Sequence, residues 1–150
     1  MKLSFTLHKD PDIVFDFLTD MQKFVSVHPV ISQIDHIGNE SYLVHETLKF
    51  GVIPFSFTYP VTIEKCALNK TVTIRANVFK LTKIEMKFVL KADNGYTIID
   101  EEILFKSPLP VKFIMEGIFK KEHSQLFKNI EMKSSNFENL TNKKQNIEAG

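Results

Sequence analysis

From Val30 to Phe105 the chain reads as six strand-like segments joined by short turns, and this run constrains the fold more than any other feature. The segments are Val30–Ile37, Ser41–Phe50, Phe55–Ile63, Thr71–Phe79, Leu81–Ala92 and Tyr96–Phe105. Gly38-Asn39 marks the first turn, Gly51 and Pro54 the second, and Leu68-Asn69-Lys70 the third. Asn94-Gly95 is the strongest hairpin signal, because both residues tolerate the positive φ a tight turn demands. Parallel neighbours need a long crossover, whereas short turns join antiparallel ones, so the run predicts an antiparallel meander.

Helical signals flank the meander. A first strand, Lys2–His8, is followed by Asp10-Pro11, a helix cap and a first-turn proline. Ile13, Val14, Phe17 and Leu18 then keep three-four spacing to near Asp20, and a second short helix, Met21–Val27, stops before Pro29. Ser107-Pro108-Leu109-Pro110 opens one long helix to about Met132. Residues 133–150 are polar apart from Phe137, Leu140 and Ile147, and read as a tail or helical extension of a single domain spanning residues 1–132. Helices gathered at the two ends of a strand run predict the α+β class.

The faces predict how these parts pack. Ile53, Phe55, Phe57, Tyr59, Val61 and Ile63 alternate with Pro, Ser and Thr. Val72, Ile74, Ala76 and Val78 form one face of the next strand, and Ile84, Met86, Phe88 and Leu90 one face of its neighbour. The sheet therefore has one apolar side, which must be covered. Val111, Ile114, Met115, Ile118, Phe119, Leu126 and Ile130 fall within an arc of roughly 160° on the long helix, which makes it the cover. A helix only about 10–12 Å across cannot cover six or seven strands flush. The sheet must curl around it, and a gap between them is the natural place for a ligand. The plainer alternative is that the aromatics fill the space as core.

Composition narrows the function classes. The chain has 150 residues, 43% of them hydrophobic, enough for one sizeable core. Its net charge is +1 and it has a single arginine, Arg75, so it lacks the basic footprint of a nucleic-acid binder. No apolar run approaches the roughly 18 residues of a membrane span. The opening Leu3-Ser4-Phe5-Thr6-Leu7-His8 alternates like a strand rather than a signal peptide, so a cytoplasmic location is expected. The glycosylation-like triplets at Asn39, Asn69 and Asn139 are then chance matches. Cys66 alone gives no disulfide and no multi-cysteine metal site.

The opening FTLHKDPDIVFDFLTD, with its strand, helix and second short helix, and the strand Asn94-Gly95-Tyr96-Thr97-Ile98 before the last helix resemble the START-like, Bet v 1-like (SRPBCC) helix-grip superfamily, which includes polyketide cyclase/dehydrase-type domains. The resemblance spans residues 2–132. It implies a seven-stranded antiparallel sheet around the long helix and a cavity for lipids, quinones, polyketides or similar molecules. It implies no particular reaction.

Candidate chemistry lies on the inward faces. Glu46 is in phase with Val44 and Leu48, Glu101 with Ile99 and Ile103, and Glu122 sits in the apolar arc of the last helix. A carboxyl in such surroundings has a raised pKa and can act as acid, base or ligand anchor; at a pocket mouth or beside a lysine it would be ordinary. A register slip of one residue would turn Asp100 and Glu102 inward in place of Glu101. Tyr59 is the best single hydroxyl. Phe55, Phe57, Ile74, Met86, Phe88, Met115, Ile118 and Phe119 are expected to line the cavity with it. His45-Glu46 begins like a zinc-protease motif, but Lys49 replaces the second histidine. His28 is read as a helix-end interaction and His123 as the edge of the stripe, while His8 and His36 are read as exposed. Neither metal nor cofactor is expected.

Three functions remain open. The first is binding or transport of a hydrophobic or amphipathic small molecule, and the second a cyclase or aromatase-type enzyme using these carboxylates or Tyr59. The third is a co-chaperone-like interaction module with a filled interior and an exposed apolar patch. A homodimer is left open beside a monomer.

Overall fold

The computed structural model describes the backbone of residues 1–148, with side chains through residue 135 and at 143, 144 and 147. The elements are β1 (Lys2–Leu7), α1 (Pro11–Thr19), α2 (Met21–Val27), β2 (Ile31–Gly38), β3 (Ser41–Phe50), β4 (Ile53–Cys66), β5 (Thr71–Val78), β6 (Thr82–Asp93), β7 (Tyr96–Lys106) and α3 (Lys112–Glu148). The strands form one antiparallel sheet in the order β1-β7-β6-β5-β4-β3-β2. This is the α+β helix-grip architecture: a curved seven-stranded sheet with a long C-terminal helix, and two short helices after the first strand.

Local chemistry sets the element ends. The Asp10 carboxylate accepts the Asp12 N–H at 2.8 Å and caps α1, with Pro11 in its first turn. Asp20 does the same for α2, accepting from the N–H groups of Gln22 and Lys23 at 3.0 and 3.1 Å. Asn94 and Gly95 have φ of 47° and 85°, the left-handed pair that a tight β6–β7 hairpin requires.

Two elements, α3 and β4, differ from the sequence expectation by more than one residue. The last helix begins at Lys112, not at the Ser107-Pro108-Leu109-Pro110 segment, because Pro110 holds Leu109 out of the helical region. β4 is longer at both ends than Phe55–Ile63 and includes Pro54 and Pro60. Over residues 53–60 it pairs only with β3, since its pairing with β5 starts at Val61↔Ala76. A strand with one free edge tolerates prolines that an interior strand would not.

The helix is seated through its middle third. His123, Leu126, Phe127, Ile130 and Ser134 are buried, while nothing in α3 before His123 is. Phe127 lies 4.6 Å from the ring of Phe5 on β1 and 6.2 Å from Phe88 on β6. The Asn129 side-chain N–H donates to the carbonyl of Val27 at 2.8 Å, and Glu131 accepts from the backbone N–H of His8 at 2.8 Å. The helix runs on past Met132 to Glu148; the side chains of Phe137 and Leu140 lie outside the described residues.

Phe127→Ala is therefore expected to cost about 3–5 kcal/mol in denaturant unfolding, the usual range for a buried phenylalanine. Phe113→Ala, at the exposed start of the same helix, should cost less than about 0.5 kcal/mol. Equal losses at the two positions would mean that α3 is seated along its whole length.

Candidate functional site

Because the first third of α3 stands off the sheet, a cavity of about 400 Å³ lies beneath it. Its walls are the inner faces of β3 to β6, the end of α2 and the start of β2, and α3 from Ile114 to His123. Phe55, Phe57, Tyr59, Ile74, Met86, Phe88, Met115, Ile118 and Phe119 all line it, as do Glu46 and Glu122. Glu101 does not: it points inward but lies behind the wall. Asp100 faces outward, held by Ser4 at 2.9 Å and Lys91 at 2.7 Å, and Glu102 is exposed.

The inner row of β4 forms an aromatic series leading from the mouth inward. Phe55 and Phe57 are 5.5 Å apart and Phe57 and Tyr59 5.7 Å, with Phe79 5.3 Å from Phe57 across the unpaired β4–β5 edge. The series ends at a polar group. Glu46 lies opposite Phe57 in the β3–β4 register, a diagonal neighbour of Tyr59, whose hydroxyl donates to its carboxylate. Burial pushes the Glu46 carboxyl above its usual range; the Tyr59 hydrogen bond pulls the other way, Glu122 nearby raises it further and His123 lowers it. Burial also raises the Tyr59 hydroxyl well above the phenol range, and the Glu46 charge adds to that.

Two histidines complete the cluster. His28 caps the end of α2, and its Nδ1 accepts the N–H groups of Val30 and Ile31 at 3.3 and 3.2 Å. An accepting Nδ1 puts the proton of the neutral ring on Nε2. Burial, then the His123 ring 6.4 Å away, pushes the His28 pKa down to about 3. His123 Nδ1 is 2.6 Å from Glu101 Oε1, with His123 only 4% and Glu101 2% exposed. The contact lacks the geometry of a hydrogen bond, and both Glu101 oxygens are otherwise unpartnered. Glu101 is thus a buried group in contact with His123.

Sequence reasoning assigned neither histidine to the site. The signal for His123 was its place in the i, i+4 series Phe119–His123–Phe127, which is the buried stripe of the helix. For His28 no local signal existed, because α2 and α3 meet there only through the tertiary fold.

A second depression, of about 530 Å³, lies on the opposite face of the sheet and is more open. The Arg75 guanidinium at its centre is taken up by Glu64 at 3.0 Å and Glu85 at 2.7 Å. Among the described residues no group of three or more His, Cys, Asp or Glu is arranged to hold a metal, and no helix is long and apolar enough to cross a membrane.

The family model of CoxG, the G-type subunit of carbon monoxide dehydrogenase, matches residues 4–100, more than half of the chain. The chain belongs to the CoxG family. The CoxG match includes His28, Glu46 and Tyr59 and ends before Glu101, Glu122 and His123. No curated protein is similar enough in sequence to match. Solved structures are similar in fold. A conserved protein from Geobacillus kaustophilus superposes with TM-score 0.75 at 12% identity, over 90% of this chain and 94% of that one. Ara h 8.0201 gives 0.69 at 18% identity, over 87% and 93%. The Zhui aromatase/cyclase from a Streptomyces gives 0.63 at 8% identity, over 90% and 92%. The helix-grip fold of this CoxG-family chain is thus that of the Bet v 1-like and START proteins.

The depressed pKa of His28 makes stability depend on pH. On acidification the unfolded chain takes up this proton near pH 6.5 and the folded one only near 3, so stability is lost as pH falls between those values. By pH 5 the loss is about 2 kcal/mol. Glu46 acts in the opposite sense, its contribution being full below the ordinary carboxylate range and lost as pH rises through its raised value. His28→Asn keeps an acceptor for the two backbone N–H groups and removes the titration. Urea unfolding at pH 7.5 and pH 5 should show a smaller acid loss in the variant than in the parent; an unchanged loss would assign the acid sensitivity elsewhere.

Proposed function

We propose that this CoxG-family chain binds or transports a hydrophobic or amphipathic small molecule, lipid, quinone or polyketide-like, in the cavity between the sheet and α3. One observation carries the reading: an apolar cavity whose polar wall groups Glu46, Tyr59, Glu122, His28 and His123 belong to one cluster. Buried polar groups without a ligand are costly, and a set that shares one cavity suits a polar head on an apolar body. His28, with Nδ1 occupied, offers Nε2–H to a carbonyl or hydroxyl oxygen. The Glu46 carboxyl can accept from a hydroxyl or, protonated, donate to a carbonyl. A cytoplasmic setting, in which the free Cys66 stays reduced, fits this reading.

A second reading, an enzyme of the cyclase or aromatase type, is favoured by the same cluster in one respect. Glu46 has a raised pKa and shares its proton environment with Tyr59, Glu122 and His123, which suits proton transfer to and from a bound polyketone. The two readings separate cleanly in experiment.

Native mass spectrometry of protein purified from cells, followed by extraction, is expected to give a stoichiometric apolar passenger. Glu46→Gln and Tyr59→Phe should each weaken its binding about 5–10-fold, the worth of one hydrogen bond in a buried site. Turnover of the passenger, lost in Glu46→Gln with binding retained, would establish the enzyme. An empty cavity with no melting-temperature shift across lipid, quinone and polyketide panels would overturn both and leave the interaction module.

A further inference from the structure

The acids of the cavity wall have no basic side chain to balance them. Glu46 and Glu122 both line it, close enough that Glu122 adds to the rise that burial gives the Glu46 pKa. Among the described residues that line the cavity there is no lysine and no arginine. The two histidines do not fill that place. Burial holds the His28 pKa down at about 3, so its ring is neutral, and any charge on His123 is matched by Glu101, 2.6 Å away. Glu46 has the Tyr59 hydroxyl alone, and Glu122 makes no ion pair among the described residues. A carboxylate drawn out of water without a counter-charge is costly, and a cation on the far side of the contact removes that cost.

A third polar group is turned to the same space. His123 lines the cavity and is only 4% exposed, yet it makes no hydrogen bond among the described residues. A neutral imidazole always presents one nitrogen that accepts. The wall thus offers acceptors from Glu46, Glu122 and His123, while the donor that Tyr59 could offer is spent on Glu46. An ammonium head brings three donors and a positive charge to such a wall. A carboxylate or phosphate head of the same size meets like charge instead.

We propose that the cavity takes an amphiphile whose head is a protonated amine, seated between Glu46 and Glu122, with its hydrocarbon lying along Tyr59, Phe57 and Phe55 towards the mouth. The inference rests on the cavity being a ligand site and adds the charge of the ligand's head. The same two carboxylates make the site selective. A fatty acid of equal length fits the apolar part of the wall equally well and is refused at its polar end.

Dodecylamine, dodecanol and dodecanoate share one hydrocarbon body and carry a cationic, a neutral and an anionic head at pH 7.5. Titration calorimetry at sub-micellar concentrations should rank them amine, alcohol, carboxylate, with at least about tenfold between neighbours. In Glu46→Gln/Glu122→Gln the ratio of amine to alcohol affinity should fall at least about tenfold, and the carboxylate should approach the alcohol. Glu64→Gln, exposed beside Arg75 on the opposite face of the sheet, should keep the parent's ratio. Dodecanol binding reports that a variant's cavity is intact. Should the double variant lose it, Glu122→Gln, which keeps the Glu46–Tyr59 pair, gives the comparison, with a fall of at least about threefold expected. Equal affinity for the three heads, or a preference for the carboxylate, would overturn the proposal and leave the cavity standing as a binding site. An amine preference that survives in both variants would place the amine on another acid and equally overturn it. If none of the three binds, the cavity reading falls with it.

Discussion

The seating of α3 on the sheet through Leu126, Phe127 and Ile130 governs the rest of the molecule. These side chains and the tie from Asn129 to Val27 fix the middle of the helix against β1, β6 and the end of α2. The first third projects over a sheet that curves away from it, and its Met115, Ile118 and Phe119 remain half-buried. A closer approach there would have to bring one narrow helix against the inner faces of four strands at once. Packing density that is native at one end and open at the other is a geometric consequence of one helix serving seven strands.

The same seating brings titratable groups into a place where hydration is poor. Neutral His28 meets that cost through two backbone hydrogen bonds to Nδ1 and Glu46 through Tyr59, whereas His123 has only its contact with Glu101. These groups come from α2, β3, β4, β7 and α3, so the cluster exists only when all five are in place. Glu101 is the least well served, with a 2.6 Å contact of poor angle and no other partner. Structure alone would favour an apolar residue there. Glu101 contacts one ring nitrogen of His123, a side chain on the cavity wall.

What was legible in the sequence follows from which signals are local. Strand alternation, the helical apolar arc, the Asp10-Pro11 cap and the Asn94-Gly95 turn are written within a few residues or turns, and they give the element order and the inward direction of Glu46, Tyr59, Glu101 and Glu122. Which of these reach the cavity was not local. Glu101 and Glu46 alternate with apolar neighbours in the same way, yet one lies behind His123 and the other on the wall. His28 looked like a helix end, and it is one; that the end abuts α3 depends on contacts a hundred residues apart in the chain. Prolines in the long strand hid its length, because a one-sided pairing partner cannot be read from a single sequence.

That one-sided stretch of β4 joins the cavity to its mouth. From residue 53 to 60 the strand has lost β5, and Phe79 fills the place where a paired strand would be, packing on Phe55 and Phe57. Side-chain contacts can part and reform at far lower cost than backbone ladders, so the wall is weakest where the aromatic row runs from the exposed rim to Tyr59. An apolar body entering between these rings would exchange one aromatic surface for another along its path, and meet its first fixed hydrogen-bonding group at the Glu46–Tyr59 pair. The odd-numbered residues of one strand thus connect the opening to the polar end of the cavity.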